Sequence, residues 1–183
     1  MAKSLNNIVM HGASGKLGNQ IVFRQGKGGQ TIIAVKPSGV KNFSPTQEAH
    51  QEAFRHAIAY AKSAKDEVIY ITKAQGTVFT PFNAAVADWF NKPQVLEIDA
   101  SNWTGEAGEI IRIKAQDDTM VAQVRVVIHA TSGTTLETGN AVQADGLWWQ
   151  YTTQVPTSGD PNTHITVTAQ DLPGNTHEMS WAN

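Results

Sequence analysis

A chain of 183 residues has room for one or two domains with a real hydrophobic core. It contains no cysteine, which excludes a disulfide framework, a thiolate nucleophile and a cysteine-based metal site. No apolar run approaches the roughly 20 residues of a membrane span, and Met1–Met10 lacks the apolar stretch of a secretory signal. The expected location is therefore cytoplasmic, with an extracellular or particle-associated role by a signal-independent route left open.

A net charge of -2 hides a strong asymmetry. Through Lys92 there are eleven basic residues and five acidic ones, about +6, and no acid precedes Glu48. From Pro93 onward there are three bases and eleven acids, about -8. This sign change predicts a boundary between a basic module over 1–92 and an acidic one over 93–183, with electrostatically complementary surfaces.

In chain order, residues 7–37 read as β structure. Ile8-Val9-Met10 and Gln20–Arg24 are short apolar runs, and Thr31–Val35 is β-branched. The glycine-rich tip Gly26-Lys27-Gly28-Gly29 predicts a hairpin between the last two runs, ended by Pro37. Ser44-Pro45-Thr46-Gln47 is a capping box with proline at the first helical position. Ala49, Ala53, Phe54, Ala57, Ile58, Ala61 and Ala64 follow at helical spacing. Asp66–Ala74 suits a short helix, although Val68, Ile69 and Ile71 also suit a strand. A further helix starts at Thr80-Pro81, carries Phe82, Ala85, Val86, Trp89 and Phe90 as its apolar stripe, and stops at Asn91-Lys92-Pro93.

From Gln94 the period becomes two. Val95–Ile98, Glu109–Ala115, Val121–His129, Leu147–Thr153, Thr163–Ala169 and Glu178–Ala182 read as strands, with Ser132-Gly133 and Asp145-Gly146 as turn pairs. Several short strands with regular turn signals predict a β-sandwich of immunoglobulin-like type. The expected fold class is thus α+β overall: an N-terminal β-hairpin with short helices, then an all-β immunoglobulin-like sandwich.

Two resemblances bear on this. Ala115-Gln116-Asp117-Asp118, the Leu147-Trp148 strand and Ala169-Gln170-Asp171-Leu172-Pro173-Gly174-Asn175 resemble bacterial immunoglobulin-like repeats of surface and appendage proteins. The stretch from Gly12 to Gln25, with Ser44–Gln47 and Ala84–Phe90, resembles an uncharacterised family of small Bacteroidota proteins. The second resemblance implies no particular activity.

Ile8 to Gly18 has the look of a strand and glycine loop from a nucleotide-binding fold. That chemistry requires a helix directly after the loop, so that its N-terminus meets the pyrophosphate. Only about seven residues separate Gly18 from Gly26, too few for a crossover of about a dozen. A P-loop fails as well, because Met10 and Leu17 occupy positions that need glycine and Ser or Thr. Gly12, Gly15 and Gly18 are read instead as turn formers. The six histidines show no metal-ligand spacing. Asp117, Asp118, Asp171 and Asn175 fall in two loops of a type that gathers Ca²⁺ in related sandwiches, yet turn chemistry explains them equally. No cofactor, metal or catalytic residue is assigned.

The expectation is a non-enzymatic structural or assembly protein that docks through Lys16, Arg24, Lys27 and Lys36, its partner another copy of itself or another protein. The acidic half of a neighbouring copy is the obvious counterpart, and such a head-to-tail contact builds a ring or a filament. Asn6–Ala13 is a candidate for strand addition to a neighbour's sheet. Nucleic acid is the alternative partner of the basic stretch. Trp148 and Trp149 point to opposite faces of their strand, so one is core and the other a candidate anchor for a protein or a glycan.

Overall fold

A computed structural model describes residues 2–4, 9–26, 28–36, 43–157 and 163–182. It is mostly β-sheet with three short helices. The chain divides into two compact units, 1–86 and 87–183, with the division inside the third helix rather than at Pro93. Among the described residues no helix is long and apolar enough to cross a membrane.

The N-terminal unit opens with a four-stranded antiparallel sheet. Its strands are β1 (Ala2–Ser4), β2 (Gly15–Leu17), β3 (Ile21–Gln25) and β4 (Thr31–Val35), in the order β1-β4-β3-β2. The expected hairpin is β3–β4, closed where Gly26 N donates to Gln30 O and Gly29 N to Gly26 O. The expected strand over residues 8–10 is corrected. Ile8 lies outside the described residues, and Val9 and Met10 belong to a turn closed by Ala13 N donating to Met10 O. Two apolar residues ahead of a glycine are too short a run to pair when Gly12 must take a φ of 76°.

Helix α1 (Pro45–Ala64) begins on the predicted capping box. Gln47 N donates to Ser44 Oγ, and Ser44 N donates to Gln47 Oε1. Its buried face is Ala57, Ala61 and Ala64, spaced three and four apart. The choice left open at Asp66–Ala74 falls to helix: α2 (Val68–Ala74) buries Tyr70 and Ala74 while Val68 and Ile71 stay exposed. A strand would have put Val68 and Tyr70 on one face. Tyr70 and Tyr60 share a hydroxyl–hydroxyl hydrogen bond of 2.6 Å. Helix α3 (Pro81–Phe90) starts as expected, with Asn83 N donating to Thr80 Oγ1.

The C-terminal unit is a β-sandwich. One sheet runs β5 (Gln94–Asp99), β6 (Ile110–Gln116), β10 (Trp148–Thr152) and β9 (Val142–Gln143). The other runs β12 (Thr176–Ala182), β11 (His164–Asp171), β7 (Val121–His129) and β8 (Thr135–Asn140). Every pairing is antiparallel. Ile111, Ile113 and Ala115 face Val124, Val126, Ile128, Ile165, Val167 and Ala169 across the core, and Trp149 and Tyr151 join them. Each fully buried Ile or Val contributes about 1.5–3 kcal/mol.

Strand β8 places a carboxylate inside this core. Glu137 is buried and accepts from Tyr151 Oη at 2.6 Å, Gln154 N at 2.7 Å and Val155 N at 3.1 Å. Burial and then the neighbouring Glu137 push the Tyr151 hydroxyl far above its usual pKa. Gly139, also on β8, is what lets the ring in, because a Cβ there would stand 2.6 Å from Tyr151 Cε2. Removing the shared acceptor strands a buried hydroxyl and two backbone N–H groups. Glu137→Ala is therefore expected to lower the unfolding free energy of this unit by about 3 kcal/mol in urea titrations followed by tryptophan fluorescence. Gly139→Ala should also destabilise, by displacing the same ring. A loss below about 1 kcal/mol for Glu137→Ala would contradict the network.

Candidate functional site

The predicted basic residues lie on or beside the N-terminal sheet, and its register sorts them. Directly opposed residues of an antiparallel pair share a face, and successive residues alternate. Lys16 opposes Val22, Val22 opposes Ala34, Arg24 opposes Ile32, and Ile32 opposes Lys3. Lys36 N donates to Gln20 O, which carries the β3–β4 ladder one residue further and puts Lys36 in register with Ala34 and Ile32. Lys3, Lys16, Arg24 and Lys36 thus belong to one face, around a centre of Val22, Ile32 and Ala34. Lys27 lies outside the described residues. Lys3 was not among the predicted docking residues, and it joins them because β1 pairs with β4.

The opposite face is uncharged. Ile21, Phe23 and Gln25 alternate there with Thr31, Ile33 and Val35. Part of it is covered by the chain itself, where Thr31 Oγ1 donates to Met10 O and Gln25 Nε2 donates to Ala13 O. Thr31 is buried in consequence. On the charged face Lys3, Lys16 and Arg24 are exposed, while Val22, Ile32, Ala34 and Lys36 are half-buried. Lys36 Nζ donates to Asn19 Oδ1 at 2.9 Å, which steadies one corner.

Of the tryptophan pair, Trp149 is 8 % exposed and sits in the sandwich core, so it is not a surface anchor. The period of two turns Trp148 outward, where the Arg112 guanidinium lies 4.5 Å and the Lys114 amine 5.7 Å from its ring centre. Two of the three bases of the acidic half therefore frame this indole. Glu97 opposes Lys114 and Asp99 opposes Arg112 on the neighbouring strand, so the patch is close to neutral. Asp99 sits below its usual pKa, held there by the Ser101 hydroxyl and backbone N–H and, less strongly, by Arg112.

The predicted loop acids separate into two groups. Asp171 accepts from Asn175 N at 2.6 Å and Asn175 Nδ2 at 2.7 Å, and Asn175 Nδ2 also reaches Trp89 O at 3.1 Å. Burial raises the pKa of Asp171, opposed by these hydrogen bonds. Asp117 and Asp118 instead converge with Asp88, which is 1 % exposed, and one oxygen from each lies within 4.8 Å of the others. Asp117 Oδ2 accepts from Thr119 N and Met120 N, whereas its Oδ1 is shut off from solvent and accepts no hydrogen bond. Asp118 accepts from Asn91 Nδ2 at 2.9 Å. Among the described residues these three are the ones that could hold a metal ion. With one converging oxygen each, the three carboxylates would leave to other ligands most of the roughly six to eight oxygens that Ca²⁺ takes. Asp88 was absent from the sequence reading because it sits on a helix, about 30 residues before its neighbours in space.

No protein-family model matches the chain, and no curated protein sequence does. Among solved structures, an engineered protein aligns over 56 % of this chain at 21 % identity, with a TM-score of 0.34. The aligned region is 26 % of that protein, so this chain spans about a quarter of its length. A conjugative transposon lipoprotein from Bacteroides eggerthii aligns over 50 % of this chain and 94 % of its own length, at 12 % identity and a TM-score of 0.27.

The two tryptophans are expected to behave differently. Trp149→Ala should cost about 3–5 kcal/mol of stability, as core truncations of large aromatics do, and Trp148→Ala about 1 kcal/mol or less. Urea denaturation of the two variants checks this. Equal losses would mean that both rings are structural.

Proposed function

We propose that this protein is a non-enzymatic structural subunit that associates with copies of itself, the basic N-terminal unit of one molecule docking on the acidic C-terminal unit of the next. In this reading the sandwich is immunoglobulin-like and the chain belongs with the small Bacteroidota proteins it resembles. The observation that carries the proposal is the division of charge, about +6 through Lys92 and about -8 beyond it. Self-repulsion within each half disfavours stacking like on like, and attraction between unlike halves favours head-to-tail order. A head-to-tail contact is heterologous, so it propagates into a filament unless its rotation closes a ring.

The small size of the buried side chains in the N-terminal unit supports the same reading. Among its described residues the buried apolar groups are Ala57, Ala61, Ala64, Tyr70, Ala74, Ala84 and Ala85. Alanines contribute little transfer energy, so a partner surface adds proportionally more here than on the isoleucine- and valine-filled sandwich.

Charge-driven association has a salt signature, since the screening length shrinks from about 10 Å at 0.1 M to about 3 Å at 1 M ionic strength. Sedimentation velocity should show concentration-dependent assemblies at low salt that dissociate toward monomer at high salt. A monomer under both conditions would overturn the proposal.

A further inference from the structure

Resting on that reading, we infer that the docking surface of the N-terminal unit is one particular face of its sheet, the one carrying Lys3, Lys16, Arg24 and Lys36 around Val22, Ile32 and Ala34, and that its occupant is the acidic C-terminal unit of a second copy. Two observations point to this face. The register puts all four cations on it and leaves the opposite face uncharged. The opposite face is partly taken by the chain's own turn through Met10 and Ala13.

The occupant follows from charge and shape together. The C-terminal unit exposes Glu97, Glu106, Asp118, Asp145 and Glu178. Its own bases are only Lys92, Arg112, Lys114 and Arg125. An apolar centre ringed by cations matches a protein surface, where dry contacts are enclosed by a charged rim. Single strands are typically held by stacking of bases on aromatic rings as well as by charge, and Phe23 belongs to the opposite face. Size sets the strength. Four strands about 4.8 Å apart and five residues at about 3.4 Å each span about 300 Å². That is well below the roughly 800 Å² per partner of a standard interface, so a single contact is weak and assembly depends on many of them.

The test compares two double charge reversals of equal net change, each with its circular dichroism checked against the parent. Lys16→Glu with Arg24→Glu alters the face, while Arg55→Glu with Lys62→Glu alters exposed cations of α1, outside the sheet but in the same unit. Low-salt sedimentation should show association weakened about tenfold or more by the first pair and changed little by the second. Lys3→Glu, on the edge strand, repeats the test without touching β2 or β3. If the parent associates and both double variants fall equally, or neither falls, this face is not the docking surface, although self-association stands. The same holds if the face variant loses affinity for double-stranded DNA while its self-association is unchanged. If the parent never associates, the proposed function fails and this surface fails with it.

Discussion

Successive side chains of a β-strand project to opposite faces, and both units of this protein are organised by that alternation. In the C-terminal unit it sends Ile111, Ile113, Val124, Val126, Ile165 and Val167 inward and leaves Arg112, Lys114, Arg125 and Trp148 outside. In the N-terminal sheet it acts on charge. Lys16, Arg24 and Lys3 fall on one side because each has neutral residues as strand neighbours and pairs in a register that aligns them. A slip of one residue in β2 would send Lys16 to the uncharged face.

Glu137 is a carboxylate among the sandwich's buried side chains, and its hydrogen bonds engage both of its oxygens. Glu137 gathers the Tyr151 hydroxyl and the N–H groups of Gln154 and Val155, so the strand β10 and the segment leaving it are tied to β8. Leaving such donors buried without an acceptor is costly, and this makes the network specific for one β8–β10 arrangement. The N-terminal unit has the contrary character. Among its described residues the buried positions are mostly alanine, and Val9 and Val35 are largely exposed. An acidic unit with an isoleucine- and valine-filled core and a thinly packed basic one suit a molecule whose two halves contribute differently to an assembly.

Much of the fold was legible in the sequence, because long periodic runs carry their own signal. The capping box at Ser44, the proline start at Pro81 and the alternating strands through Ile113, Val126 and Val167 all lie where the pattern placed them. Strand β8 was missed for a physical reason. Thr135-Leu136-Glu137-Thr138-Gly139-Asn140 has its inward positions filled by a carboxylate and a glycine, the reverse of a core pattern. The β1 and β2 strands, three residues each, are too short to show a period. The basic residues were visible individually, but their common face depends on which strands pair. Asp88 joins Asp117 and Asp118 only through the folded chain.

The most direct measurement joins copies that can be told apart. Isotopically labelled and unlabelled protein would be mixed at low salt, treated with a zero-length carbodiimide cross-linker, and analysed by mass spectrometry for lysine–carboxylate links between the two isotopes. The account predicts intermolecular links from Lys3, Lys16 or Lys36 to exposed acids of the C-terminal unit such as Glu97, Asp145 or Glu178, disappearing at high salt. Intermolecular links confined to lysines of α1 and α2, or an absence of mixed-isotope links at any salt, would contradict it.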